Sequence, residues 1–185
     1  MSETVRAFVA VFPPPEVRKE IHASARRLLS GYQVRWVKPE NVHLTLKFLG
    51  DVREEALDGI CAALGEVCAG YAPFDVGLMG LGAFPSVRRA RILWAGAGVG
   101  SDRLRSLAAD VDAALALLGF ESEERPYTPH LTLGRIRGRP ASLDLPPAAK
   151  GPGFRAERVE LMESTLTSEG AVYKTLKALA LEERS

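Results

Sequence analysis

The chain is poor in the residues that most often announce chemistry. Among its 185 residues there are only two cysteines and three histidines. Cys61 and Cys68 lie in a helix-like stretch, and seven residues of helix would hold them roughly 10 Å apart, beyond disulfide reach. Their spacing fits no zinc motif, so they read as reduced, buried small hydrophobes. Net charge is nearly absent, with 24 basic against 23 acidic residues. That excludes a global field able to gather long polyanions, and any anionic ligand must meet a local patch. Arg88, Arg89 and Arg91 form one candidate, and Arg135, Arg137 and Arg139 another. No apolar run reaches the roughly 20 residues that a membrane helix needs. The opening MSETVRAFVAVF has neither the basic start nor the cleavage site of a secretory leader, so a cytoplasmic protein with no membrane partner is expected.

Nucleotide-loop signatures are also missing. ILWAGAGVGSDRLRSL offers a strand, glycines at 96, 98 and 100, and a helix. The GxGxxG register, however, puts Ser101 where the last glycine belongs, and the segment after the helix, FESEERPYTPH, is polar where a second strand would be apolar. What remains is ordinary globular material. The chain is 46% hydrophobic, enough for one sizeable domain or two small lobes sharing a core.

Periodicity and breakers divide it into elements. Strands are expected at 5–12, 34–37, 42–49, 74–84, 90–96 and 130–137. Helices are expected from Pro15 to about Leu29, from a cap at Asp51 to about Ala69, and from a cap at Ser101 or Asp102 to about Leu118. A Pro-, Ala- and Gly-rich loop spans 139–153. RAERVELMESTL and AVYKTLKALAL then form a hairpin through TSEG. No linker divides the chain. The order suggests two α+β halves.

Against this background one repetition stands out. Residues 42–50 read VHLTLKFLG and residues 127–135 read YTPHLTLGR. Two of the three histidines open the tetrapeptide HLTL. Strand residues alternate faces, so His43 and Thr45 share one face while Leu44 and Leu46 share the other. His130 and Thr132 divide from Leu131 and Leu133 in the same way. A single copy is no more than a half-buried strand with threonine chosen for β-propensity. At ordinary residue usage, however, LTL follows a given histidine roughly once in a few thousand cases, and twice in three is not coincidence. Two imidazoles facing one cavity suit acid–base work near neutrality, and two hydroxyls suit the oxygens of an anion. Together they suit in-line displacement at phosphorus without a nucleophilic side chain. The third histidine, His22 in EVRKEIHASARRL, reads as a surface helix residue.

The doubled pattern resembles the HxTx signature of the two-histidine (2H) phosphoesterase superfamily. RWVKPENVHLTLKFLGDV, GAFPSVRRARILWAG and YTPHLTLGR resemble its bacterial and archaeal RNA 2′,3′-cyclic phosphodiesterases, once named 2′-5′ RNA ligases. The resemblance runs from residue 5 to about 181. It implies an α+β fold in which two pseudo-symmetric, helix-flanked antiparallel-sheet lobes enclose a central cleft, the whole of 1–185 forming one bilobal domain with motifs at 43–46 and 130–133. It implies no cofactor and no metal. It implies hydrolysis of a terminal 2′,3′-cyclic phosphate on RNA, such as a tRNA fragment, or of a small cyclic nucleotide, to a 2′-phosphomonoester, and a monomer is expected. His43 would be the proton donor, His130 the proton acceptor, and Thr45 and Thr132 the phosphate-oxygen ligands.

Other residues come in beside these four. By alternation Lys47 falls on the His43 face and adds charge there, unless it is a solvated strand end. Arg135 resembles a phosphate-contacting arginine of the family. Strict alternation turns it away from the cleft, and a bulge at Gly134 would turn it back. Tyr127 could stack a terminal base, as could Phe48, although core packing suits Phe48 better. Trp36 and Trp94 read as core or lobe-interface residues. The competing readings are ATP-independent 2′-5′ RNA joining by the same four residues, a non-catalytic RNA-end binder, and a zinc site on His43 and His130 that lacks an obvious third ligand.

Overall fold

A computed structural model describes residues 4–168 and 170–182. Nine strands form a single curled, antiparallel sheet. They are β1 (Thr4–Val11), β2 (Val34–Trp36), β3 (Leu44–Arg53), β4 (Phe74–Phe84), β5 (Ile92–Ala97), β6 (His130–Ile136), β7 (Lys150–Ala156), β8 (Arg158–Thr167) and β9 (Gly170–Ala180). Their order is β7-β4-β5-β6-β3-β1-β8-β9, with β2 paired to the far end of β6. The two motif strands therefore lie at the centre, with three strands outside each. They meet through one register pair, Leu44 opposite Leu131. The expected α+β class is present. The sheet itself is continuous across the centre.

Three helices cover one face: α1 (Pro15–Leu28), α2 (Leu57–Cys68) and α3 (Ser101–Ala116). Pro15 at the first turn presets the φ that α1 needs. Each helix buries a stripe at helical spacing: Val17, Ile21 and Ala25 from α1, Ile60, Leu64 and Cys68 from α2, and Leu104, Leu107, Ala108, Val111 and Leu115 from α3. These pack on Val9, Val11, Leu44, Leu46, Leu131 and Leu133 to make the main core. The leucines of both motifs thus face the helices. Phe8, Ala10 and Met162 form a smaller cluster with Phe12 and Tyr173.

Several expectations change. Strand β7 runs through the end of the expected 139–153 loop. Its KGPGFRA is rich in glycine and proline, which a sheet edge tolerates. No Asp51 cap forms, because β3 continues to Arg53 and a 3-10 turn at Glu54–Ala56 precedes α2. The hairpin of β8 and β9 is present, while Glu169 in its turn lies outside the described residues. His22 is not a surface residue. It is 6% exposed, its ring Nε2–H donates to Val37 O at 2.8 Å, and its edge meets the Trp36 ring. It ties α1 to the chain just ahead of the first motif.

The most consequential departure is at Lys47. In the β1–β3 pairing Thr45 faces Ala10 and Lys47 faces Val9, leaving Leu46 as an extra residue. This bulge breaks alternation. It sends Lys47 to the helix side, 3% exposed, and turns Phe48 out, 67% exposed. The Lys47 ammonium donates to Asp112 Oδ1 of α3 at 2.5 Å and to Glu121 O at 2.7 Å. Asp112 Oδ1 also accepts from Glu123 N–H. Burial pushes the Asp112 carboxyl upward, and the bonds from Lys47 and Glu123 outweigh it, so its pKa lies below the usual range. Lys47 is therefore a buried tie between the first motif strand and the loop leading into the second.

Removing one partner of a buried pair leaves an uncompensated charge. Lys47→Met is expected to lower stability by roughly 2–4 kcal/mol, read as a lower urea or thermal midpoint, and Lys47→Met with Asp112→Leu is expected to recover part of that loss.

Candidate active site

The face opposite the helices carries a cleft of about 520 Å³. His43, Thr45, His130 and Thr132 all line it. The seam explains why. The antiparallel register that sets Leu44 opposite Leu131 brings His43 abreast of Thr132 and Thr45 abreast of His130. Each histidine thus has the other motif's threonine as its cross-strand neighbour.

Both rings are held alike. His43 Nδ1–H donates to Asn41 O at 2.7 Å, and His130 Nδ1–H donates to Thr128 O at 2.7 Å. In each case the acceptor is the carbonyl two residues earlier. A carbonyl only accepts, so the proton sits on Nδ1 and Nε2 is left as the working nitrogen. Aromatic rings surround both. Phe8 stacks on His43 at 4.9 Å, with Phe12 at 5.1 Å and Tyr173 edge-on at 5.3 Å. Phe84 meets His130 edge-on at 5.0 Å and Trp94 lies 6.1 Å away. Gly82 makes room for that indole, since a β-carbon there would stand 2.3 Å from the Trp94 ring.

These apolar surroundings penalise the charged imidazolium. Desolvation lowers His43 to about 4, against the Nδ1 bond that raises it, with repulsion from His130 and Arg18 adding to the fall. Desolvation lowers His130 as well. Both histidines are thus held toward the neutral form at pH 7, and an anion beside them would favour the charged form.

The second motif has its own bulge. Thr132 faces Trp94 and Gly134 faces Leu93, leaving Leu133 as the extra residue. Arg135 is thereby turned into the cleft, as a bulge at Gly134 would require. The two strands are thus equivalent beyond the motif: Gly134 matches Lys47, and Arg135 matches Phe48. Phe48 lines the cleft beside Phe8, with ring centroids 6.2 Å apart, contrary to the expected core packing. Lys47 is not in the cleft, for the reason given above. Tyr127 is not among the cleft residues either. It packs against the main core with its hydroxyl buried and without a hydrogen-bond partner, and burial raises its pKa. The polar segment around it hid that apolar contact.

Sequence reasoning missed Arg6, Arg35, Lys38, Asn41 and Tyr173, which also line the cleft. Trp36 lines it while packing on the core. Among the described residues no carboxylate lines the cleft, against the cations Arg6, Arg35, Lys38 and Arg135. Of the two arginine patches in the sequence, only Arg135 reaches it. The described residues also contain no group of three or more His, Cys, Asp or Glu side chains placed to hold a metal, and no described helix is long and apolar enough to cross a membrane.

A family model described as LigT-like phosphoesterase matches residues 11–94 and 98–173, a span that contains both motifs. The chain belongs to that family. It is 35% identical to the RNA 2′,3′-cyclic phosphodiesterase of Methanothermobacter thermautotrophicus, over 96% of this chain and 99% of that one. It is 31% identical to the Aquifex aeolicus protein of the same name, over 97% and 98%. Among solved structures, a Thermus thermophilus protein superposes with a TM-score of 0.84 at 30% identity, covering 97% of this chain and all of that one. Escherichia coli LigT complexed with 3′-AMP superposes with a TM-score of 0.84 at 27% identity, covering 97% and 99%. This LigT-like chain thus shares its fold with these structures over nearly its full length.

The lowered histidines give a test with a definite sign. Their folded-state pKa lies below the unfolded value of about 6.5, so the unfolded chain binds more protons as pH falls. The contribution is fully present above pH 6.5 and lost toward pH 4. Acidifying from pH 7.5 to 4.5 is expected to cost the native protein on the order of 2 kcal/mol more than His43→Gln, measured by parallel urea melts.

Proposed function

We propose that this phosphoesterase hydrolyses terminal 2′,3′-cyclic phosphates on RNA to 2′-phosphomonoesters. The observation that carries the reading is the pair of His–Thr units, each ring fixed through Nδ1 with Nε2 free, facing one cation-lined cleft. The similarity to proteins named RNA 2′,3′-cyclic phosphodiesterase supports the same class of reaction.

The chemistry follows from what each group can do. The cyclic diester anion enters a site free of carboxylates, and its charge raises the affinity of a neighbouring imidazole for a proton. As the family resemblance implies, His43 takes that proton on Nε2 and becomes the acid. His130 stays neutral, and its Nε2 accepts a proton from water. The hydroxide equivalent attacks phosphorus in line with the 3′ oxygen. The P–O3′ bond breaks as His43 donates its Nε2 proton to that oxygen. Thr45 and Thr132 donate to the non-bridging oxygens, and Arg135 balances the charge that builds there. The product leaves with its phosphate on the 2′ oxygen, and solvent returns the two histidines to their starting states. No step requires a metal or a nucleotide. Phe48, exposed at the position equivalent to Arg135, offers a face on which a terminal base can stack. We infer a cytoplasmic, monomeric enzyme in which the whole chain acts as one bilobal unit, with RNA ends such as tRNA fragments as substrates.

An RNA ending in 2′,3′-cyclic phosphate is expected to yield a 2′-phosphate, identified by chromatography against both isomers. A 3′-phosphate product would reverse the proposed leaving oxygen. His43→Ala and His130→Ala are each expected to lower kcat by at least ~10². The rate should be bell-shaped in pH, with the kcat profile lying to the alkaline side of kcat/KM because bound phosphate raises the histidines.

The threonines allow a graded test. Thr45→Val or Thr132→Val keeps the strand shape and removes one donor, a loss of about 1–3 kcal/mol of transition-state stabilisation, and serine should restore part of it. Full activity of both valine variants would remove the threonines from the mechanism.

A further inference from the structure

One group of charges plays no part in the reaction as described. Arg35 of β2 is the direct cross-strand partner of Arg135 in β6. Both side chains are exposed and both line the cleft. Like charges set directly opposite on a sheet repel and weaken it, and here nothing offsets them. Among the described residues the Arg35 side chain makes no hydrogen bond or ion pair, in a chain with 23 acidic residues from which a partner could have been drawn. Lys38, at the turn that follows β2, is also exposed, unpaired and on the cleft.

The backbone is shaped to hold this arrangement. At Gly134 a β-carbon would lie 2.6 Å from Val34 Cγ1 and 3.1 Å from Arg35 O. Only a residue without a side chain lets β2 close on β6 in the register that sets Arg35 beside Arg135. Val37 N–H then donates to Leu133 O at 2.9 Å, and His22 holds Val37 O from the other side. The strand carrying Arg35 is therefore fixed at both faces of its final turn, and the charge it presents is not on a free loop.

Fixed, unneutralised cations on a cleft wall form an anion site. It lies beside Arg135, at the end of the cleft beyond the bulge. The His–Thr units flank the Leu44–Leu131 seam, whereas Arg35 pairs with β6 beyond the bulge, three residues past Thr132 or roughly 7–10 Å along the strand, on the edge of β6 that β3 takes at the seam. We propose that Arg35 and Lys38 form a second anion subsite, which takes the phosphodiester on the 5′ side of the terminal nucleotide. The cleft is then built for an RNA strand, and a nucleoside 2′,3′-cyclic phosphate fills only its inner half. This rests on the hydrolysis reading above and names the substrate class for it.

The test compares two substrates on one enzyme: a short RNA ending in 2′,3′-cyclic phosphate, and the matching nucleoside 2′,3′-cyclic phosphate without a 5′ phosphate. In Arg35→Gln, kcat/KM for the RNA should fall at least about tenfold further than kcat/KM for the nucleoside, with the loss mainly in KM. Lys38→Gln should act in the same direction, and Arg35→Lys should keep most of the preference. If both substrates fall together, Arg35 serves the reacting phosphate or the fold, and the subsite is wrong. If neither falls, it is also wrong. Binding supplies an independent arm, in which a fluorescent RNA ending in 2′-phosphate is titrated by anisotropy at several salt concentrations. Loss of one phosphate contact should reduce the salt slope by about 0.7 for a single strand, and an unchanged slope in Arg35→Gln overturns the proposal. If the native enzyme hydrolyses neither substrate, the hydrolysis reading fails, and the salt slope still decides the subsite.

Discussion

Everything at the site depends on one cross-strand contact, Leu44 against Leu131. Both side chains are fully buried beneath the helices, so neither strand can slip by a residue without moving leucines into the cleft and histidines into the core. The main hydrophobic core thus fixes the catalytic register from behind. The site itself needs little apolar contact of its own to stay aligned. Its side chains stand on strands whose far face is locked.

The same arrangement accounts for the electrostatics. A histidine on a sheet face is normally half-wet and titrates near neutrality. Here Phe8, Phe12 and Tyr173 close over one ring, and Phe84 and Trp94 close over the other. The sheet's own aromatic residues lower both pKa values, and the backbone carbonyls at Asn41 and Thr128 select which nitrogen is left to work. Without an anion the cleft holds cations on its rim and neutral imidazoles at its centre. On the proposed mechanism a bound phosphate would favour the charged imidazole, so substrate charge and acid–base readiness would be coupled.

How much of this could be read in the sequence follows from the range of the forces involved. Alternation is local, and it correctly assigned His43, Thr45, His130 and Thr132 to one face and the four leucines to the other. It failed one residue beyond each motif, because a bulge is a property of two paired strands and leaves no trace in one. Lys47 and Phe48 were therefore assigned to each other's environments, and Arg135 could not be decided. His22 was misread for a related reason. Its neighbours in α1 are charged, and the carbonyl and indole that bury it belong to the Val37 and Trp36 segment. Arg35 was passed over because its significance lies in its partner across the sheet. Strand β7 was hidden by Gly151, Pro152 and Gly153, which suit a sheet edge and resemble a loop.

The doubled bulge has one further consequence. The four motif residues are related by a two-fold operation, and a cleft made from them alone would have no sense of direction, since either histidine could stand on either side of a phosphate. Direction enters with what surrounds them, and past the bulges an aromatic ring occupies one strand and a guanidinium the equivalent place on the other. A nucleic acid end is itself polar, with a base on one side and a chain of phosphates on the other. On the proposed mechanism, Phe48 and Arg135 help set the orientation of such an end although they take no proton and break no bond.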